Sequence, residues 1–197
     1  MSARRRLFVA LMLGRELAEP LVRAVDAVLV GPADETGLRR YAPPDLHLTL
    51  FFLGATAPES IEPLGLALGE LAARHGPLDL CVTRAGAFPA RGRERVLWLG
   101  VAEARPGGLA RLAADVAGAC VGLGARPEVQ PWRAHVTVAR VRERMRPRVP
   151  ERFYDLDLEL GWKPTRLQLV ESLAGRERVE GERESCRVVA DFALATR

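Results

Sequence analysis

The chain has 197 residues, 48% of them apolar and 27% charged. That balance can bury a core as one domain or as two intimate lobes, and it excludes wholesale disorder. A net charge of +4 and a pI near 9.5 lean mildly toward a polyanionic partner, but only Lys163 among the 29 basic residues is lysine, so arginine richness carries no weight by itself.

Arg4-Arg5-Arg6 ahead of the apolar run Leu7–Leu13 has the outline of a signal peptide. The run is short, ends at Gly14-Arg15-Glu16 and lacks a small-x-small cleavage site, so it reads instead as a central strand buried on both faces. Glu16 to Val30 carries Leu17, Leu21, Val25, Val28 and Leu29 as a helical stripe, closed by Gly31-Pro32. Gly37–Tyr41 reads as a short strand, Pro43-Pro44 as an extended turn, and His47–Leu53 as a strand that stops at Gly54. Pro58–His75 is a second helix with Ile61, Leu64, Leu68 and Leu71 inward. Leu78–Ala85 and Arg95–Val101 are strands either side of a turn at Pro89–Arg93.

Gly107–Gly124 is the third helix, with Leu109, Leu112, Val116 and Val121 giving its inner face, and Ala134–Arg140 the strand after it. Arg142–Pro150 is a basic loop. Leu156, Leu158 and Leu160 alternate with acids as a strand would, and Leu167, Leu169 and Glu171 form another extended segment. Arg176–Glu184 is a charged loop and Arg187–Leu194 a last strand. Strand and helix alternate with no compositional break, so residues 1–197 read as a single α+β domain with two sheet lobes facing a cleft. Cys81, Cys120 and Cys186 are scattered without a C-x-x-C and read as buried small hydrophobes in a reducing compartment. No stretch approaches the ~20 apolar residues of a membrane span. A cytoplasmic location without membrane attachment is expected.

One phrase occurs twice: His47-Leu-Thr-Leu50 and His135-Val-Thr-Val138, although the chain holds only three histidines. In a strand, His and Thr two apart share a face while Leu or Val points into the core. Imidazole titrates near pH ~6.5, so one histidine can serve as general base and another as general acid. Threonine hydroxyls on the same face can donate to oxygens that gain charge in a transition state. Arg140, five beyond His135, can grip an anion. Neither a metal-ligand spacing, a nucleophile beside either histidine nor a phosphate-binding glycine loop is evident. The set fits attack of water on a substrate that already carries negative charge, best a phosphodiester.

On these residues the chain resembles the two-histidine phosphoesterase superfamily, and within it the RNA 2′,3′-cyclic phosphodiesterases, also called 2′-5′ RNA ligases. Further matches are Arg6-Leu-Phe-Val-Ala10, Leu50-Phe-Phe-Leu-Gly54, Gly86-Ala-Phe-Pro89, Leu97-Trp-Leu-Gly-Val101, Ala139-Arg140 and Glu171-Ser172. Ala134 departs from the proline that relatives often carry before the second histidine.

The resemblance implies a bilobed, pseudo-symmetric pair of antiparallel sheets with outer helices and a central cleft. It also implies cofactor-free hydrolysis of 2′,3′-cyclic phosphate ends of RNA or nucleotides to 2′-phosphomonoesters, with 2′-5′ ligation as the reverse reaction. His47 would be the acid on the leaving 3′ oxygen and His135 the base that activates water. Thr49 and Thr137 would hold the phosphate, Arg140 would support it and Phe52 would stack on a base. A monomer is expected. The rivals are a phosphodiesterase for another 2′-5′ or cyclic nucleotide and an RNA-binding module without turnover.

Period-two counting from His47 puts Phe51 in the cleft, whereas the resemblance puts Phe52 there. His75, before Gly-Pro, reads as a helix-dipole partner. Asp45 would share the His47 face and could orient its imidazole if the strand began early, but after two prolines a solvated loop residue is the favoured reading. Arg142, Arg144, Arg146 and Arg148 recur every second residue, and fit either an RNA-tracking face or a solvated loop. Arg91, Arg93 and Arg95 share that ambiguity, and Trp132 is favoured over Trp98 as cleft wall.

Overall fold

The computed structural model describes residues 3–30, 37–89, 92–142, 145, 148–173 and 185–196. Its first strand, β1 (Arg5–Met12), is the expected apolar run; Leu7 to Leu11 are all buried because Leu7, Val9 and Leu11 pack in the main core while Phe8 and Ala10 pack on the other face with Val170 and Cys186. Helix α1 (Arg15–Val28) lays Ala18, Leu21 and Val25 on the core, with spacings of three and four. Then come β2 (Leu38–Arg40), β3 (His47–Thr56), α2 (Ile61–Ala72), β4 (Leu80–Phe88), β5 (Val96–Glu103) and α3 (Gly108–Gly122). The chain finishes with β6 (His135–Val141), a short α4 (Glu151–Tyr154), β7 (Leu160–Trp162), β8 (Arg166–Ser172) and β9 (Cys186–Ala193).

All the strand pairings are antiparallel, in the order β7-β4-β5-β6-β3-β1-β8-β9, with β2 also paired to β6. The two lobes are halves of this one path, β3-β1-β8-β9 and β6-β5-β4-β7, and they meet where Leu48 pairs with Val136. Each half contains the same unit: a strand, a helix, and a histidine strand that returns beside the first (β1-α1-β3 and β5-α3-β6). The α+β class and the pseudo-symmetry expected from the sequence are both present. Among the described residues no helix is long and apolar enough to cross a membrane.

Several local expectations are corrected. Pro43-Pro44 begin one turn of 3-10 helix, Pro43–Asp45, rather than an extended turn, since proline's φ also suits that turn. Strand β3 does not stop at Gly54 but runs to Thr56; Gly54 has φ +69 and accommodates a bulge where Leu7 pairs with Gly54 and Phe8 with Phe52. The second helix begins as a 3-10 turn, Pro58–Ser60, and α2 ends at Ala72. Residues 155–159 form no strand: Leu156 and Leu158 do turn inward while their acidic neighbours face water, but Glu159 has φ 45 and pairing begins only at Leu160. Alternation there reports the buried side, not a ladder. Cys120 and Cys186 are buried and Cys81 only half so; all three are thiols rather than disulfides, and burial pushes the Cys120 thiol up to about 12. The stop at Gly31-Pro32 and the loop Arg176–Glu184 lie outside the described residues.

Candidate active site

Strands β3 and β6 begin on their histidines, and both carry the same irregularity. Against β1, the register skips from Thr49 to Phe51; against β5, it skips from Thr137 to Ala139. Each strand therefore has one extra residue after its threonine, which reverses the alternation beyond it. In β3, His47 and Thr49 are half-buried on the concave side, Leu48, Leu50 and Phe51 are buried, and Phe52 comes out again, 53% exposed. In β6 the pattern repeats: His135 and Thr137 half-buried, Val136, Val138 and Ala139 buried, Arg140 exposed. The bulge decides between the two phenylalanines. Phe52 joins the cleft wall and Phe51, 2% exposed, joins the core.

His47, Thr49, Phe52, His135, Thr137 and Arg140 all line one cleft of about 930 Å³. Extending the Leu48–Val136 pairing by one residue each way sets His47 beside Thr137 and His135 beside Thr49. Each imidazole is fixed in the same manner. His47 Nδ1–H donates to the Asp45 carbonyl at 2.6 Å, and His135 Nδ1–H donates to the Arg133 carbonyl at 2.8 Å. A carbonyl only accepts, so the proton of each neutral ring sits on Nδ1 and Nε2 keeps its lone pair. Phe8 packs on the His47 ring with centroids 4.7 Å apart, and Phe88 meets the His135 ring edge-on at 5.2 Å. Burial holds both histidines below their ordinary pKa. The carbonyl bonds oppose this, while Arg140 adds to it for both rings. Burial and Arg140 both favour the neutral imidazole in the free protein, and an anion bound between the two rings would favour a proton on one.

Arg140 is not alone. Its Nε–H donates to the Tyr41 hydroxyl at 3.1 Å, and Arg39 Nη2 donates to the same oxygen at 3.0 Å. Arg39, Tyr41 and Arg6 also line the cleft. Sequence reasoning gave none of these residues, nor Phe8 and Phe88, a place in the cleft. Arg6, Phe8 and Phe88 lie in the segments matched to the family, whereas the signal for Arg39 and Tyr41 was only the short strand at Gly37–Tyr41, whose partner lies about a hundred residues on. Asp45 is buried rather than solvated: its carboxylate accepts from Ser185 N–H at 2.6 Å and Cys186 N–H at 3.2 Å while its carbonyl holds His47.

Trp132 is corrected as well. Its Nε1–H donates to the Thr49 carbonyl at 3.0 Å, and it sits with Leu50, Phe51 and the alanines of α3 in a separate groove. Trp98 is the tryptophan near a histidine, with its ring 6.2 Å from that of His135, in space that Gly86 leaves open. His75 bonds Asp115 at 2.9 Å, away from the cleft. Of the basic loops, Arg93, Arg95, Arg142 and Arg148 do not line the cleft; Arg91, Arg144 and Arg146 lie outside the described residues.

Comparison with known proteins gives a consistent set. A model of the 2′-5′ RNA ligase superfamily matches residues 16–176. An RNA 2′,3′-cyclic phosphodiesterase of Archaeoglobus fulgidus is 34% identical over 142 residues, 71% of this chain and 74% of its own length. One of Geobacillus stearothermophilus is 36% identical over 107 residues, 54% of this chain and only a third (33%) of its own length. A crystal structure of a Thermus thermophilus protein superposes with a TM-score of 0.77 at 30% identity, covering 98% of this chain and 99% of that one. E. coli LigT complexed with 3′-AMP superposes with a TM-score of 0.72 at 27% identity, covering 97% and 98%.

Proposed function

The chain belongs to the 2′-5′ RNA ligase superfamily, and from that premise we propose that it is an RNA 2′,3′-cyclic phosphodiesterase in which His47 and His135 exchange protons with the substrate. The cyclic phosphate lies between the two imidazoles. His135, neutral at Nε2, takes a proton from water as its oxygen attacks phosphorus. His47, protonated once the substrate anion is bound, gives a proton to the departing 3′ oxygen. The 2′ ester bond survives, and the product is a 2′-phosphomonoester. Thr49 and Thr137 donate to the non-bridging oxygens as these gain charge, Arg140 balances that charge, and Phe52 stacks on the base.

The observation that carries this reading is the matched setting of the imidazoles: both Nδ1–H groups are committed to a carbonyl two residues back, inside one cleft that also holds both threonines. A binding module has no need of two lone-pair-bearing nitrogens set alike. The names of the relatives and the 3′-AMP bound to E. coli LigT point to the same substrate class. The protein acts as a monomer, without metal. The test is hydrolysis of a nucleoside 2′,3′-cyclic phosphate in EDTA, with the 2′ and 3′ monoesters resolved. Ring opening to the 2′-monoester is expected. Activity confined to linear 2′-5′ bonds would instead favour the rival phosphodiesterase.

A further inference from the structure

Strand β2 continues along β6 the edge that β3 begins: β3 pairs at Val136, and β2 pairs at Ala139 to Val141. This puts Arg39 directly opposite Arg140. Like charges facing each other across a strand pair are unfavourable. Several guanidinium groups elsewhere in the fold are matched with acids: Arg5 and Arg187 with Glu171, Arg40 with Asp26, Arg166 with Asp191. Among the described residues, Arg39 and Arg140 have no such carboxylate. They share the Tyr41 hydroxyl instead. Tyr41 is held in register by its own N–H, which donates to the Val138 carbonyl at 3.0 Å, and the Arg39 guanidinium lies 5.2 Å from the centre of its ring.

The hydrogen-bond inventory has a chemical consequence. A phenolic oxygen that accepts two N–H bonds has used its lone pairs, so its own hydrogen is left to donate. The cluster therefore presents a phenol O–H and the remaining N–H groups of two guanidiniums, with no acceptor of its own. That is the donor set of a phosphate site. It lies three residues along β6 from Thr137, roughly 10 Å at about 3.3 Å per residue. Arg140 belongs to the cluster and also acts electrostatically on both histidines, so the two positions are coupled through it.

We propose that Arg39, Tyr41 and Arg140 form a second phosphate subsite, which holds the phosphodiester on the 5′ side of the terminal nucleotide while its cyclic phosphate lies at the histidines. The inference rests on the phosphodiesterase reading of the cleft and narrows its substrate class. On an RNA end, the nearest anion to the cyclic phosphate is the 5′ phosphodiester of the same nucleotide; a nucleoside cyclic phosphate lacks it. The subsite therefore favours polynucleotide ends over free mononucleotides.

Calorimetric titration of the whole protein with cytidine 3′-monophosphate and cytidine 3′,5′-bisphosphate, at fixed moderate salt, tests this without requiring turnover. The wild type is expected to bind the bisphosphate at least roughly tenfold more tightly. Arg39→Gln and Tyr41→Phe should each cut that ratio to about threefold or less. Tyr41→Phe is the sharper variant because it leaves net charge unchanged, and it decides the matter if Arg39→Gln does not fold. Equal affinities in the wild type, or a ratio that survives Tyr41→Phe in a folded protein, would overturn the subsite. An active cyclic phosphodiesterase indifferent to the 5′ phosphate removes this inference alone. A protein that keeps the preference yet hydrolyses no cyclic phosphate removes the reaction and leaves the subsite.

Discussion

Replacing Asp45 tests how the fold holds one imidazole. The residue is 1% exposed, and its carboxylate takes hydrogen bonds from Ser185 N–H, Cys186 N–H and the Cys186 thiol. One main-chain atom away, its carbonyl fixes His47. Asp45→Ala strips two backbone N–H groups at the start of β9 of their acceptor, at about 1–3 kcal/mol each. A loss of about 3 kcal/mol corresponds to roughly 6–12 °C in Tm for a chain of this size. Asp45→Asn keeps an amide oxygen as acceptor, so most of the stability should remain.

The charge, however, is gone, and that charge favours the protonated form of His47. Without it the His47 pKa falls further, so the alkaline limb of the kcat/KM profile, where the general acid loses its proton, should move to lower pH. Thermal unfolding and pH–rate profiles of the two variants give the measurement. An Asp45→Ala protein that melts within a degree of wild type, or an Asp45→Asn profile that does not move, would refute the reasoning.

Three further outcomes follow from the same geometry. In Gly86→Ala the new Cβ would stand 2.3 Å from the Trp98 ring, so that ring must shift against Phe88 and His135; about 1–3 kcal/mol of stability and a fall in kcat are expected from melting and rate measurements. Glu171, pinned by Arg5 and Arg187 at 2.7 Å each, has its pKa held down to about 2. It contributes stability that is complete above its ordinary carboxylate range and is lost as pH falls toward 2, so acid unfolding of Glu171→Gln should lose much of that pH dependence. NMR titration of the imidazole protons should place both His47 and His135 below about 6.5 in the free protein, and saturating cytidine 3′-monophosphate should raise at least one of them; ordinary values without ligand would contradict the burial argument.

What was legible in the sequence was whatever depends on periodicity. The apolar run of β1, the stripe of α1 and the His-x-Thr phrases are local patterns, and the fold uses them as read. In α3, Leu109, Leu112 and Val116 turn inward as expected, but Val121 is 38% exposed and Cys120 takes the inner place. What was not legible depends on pairing between distant segments. Whether Phe51 or Phe52 faces the cleft turns on a bulge that exists only relative to β1. The Arg39–Tyr41–Arg140 cluster needs β2 laid against β6, and the burial of Asp45 needs Ser185, 140 residues away. Trp132 was misjudged for a related reason: three residues before a histidine says nothing about which carbonyl the indole will find.

The central claim is that two imidazoles, one from each half of the sheet, share the proton transfers at a single phosphate. Single-turnover hydrolysis of a nucleoside 2′,3′-cyclic phosphate by wild type, His47→Ala, His135→Ala and the double variant tests it most directly. Each single variant should stay folded and lose on the order of 10²–10⁴-fold in rate, and the double variant should lose far less than the product of the two, because the pair acts as a unit. Undiminished ring opening in either single variant would contradict the account.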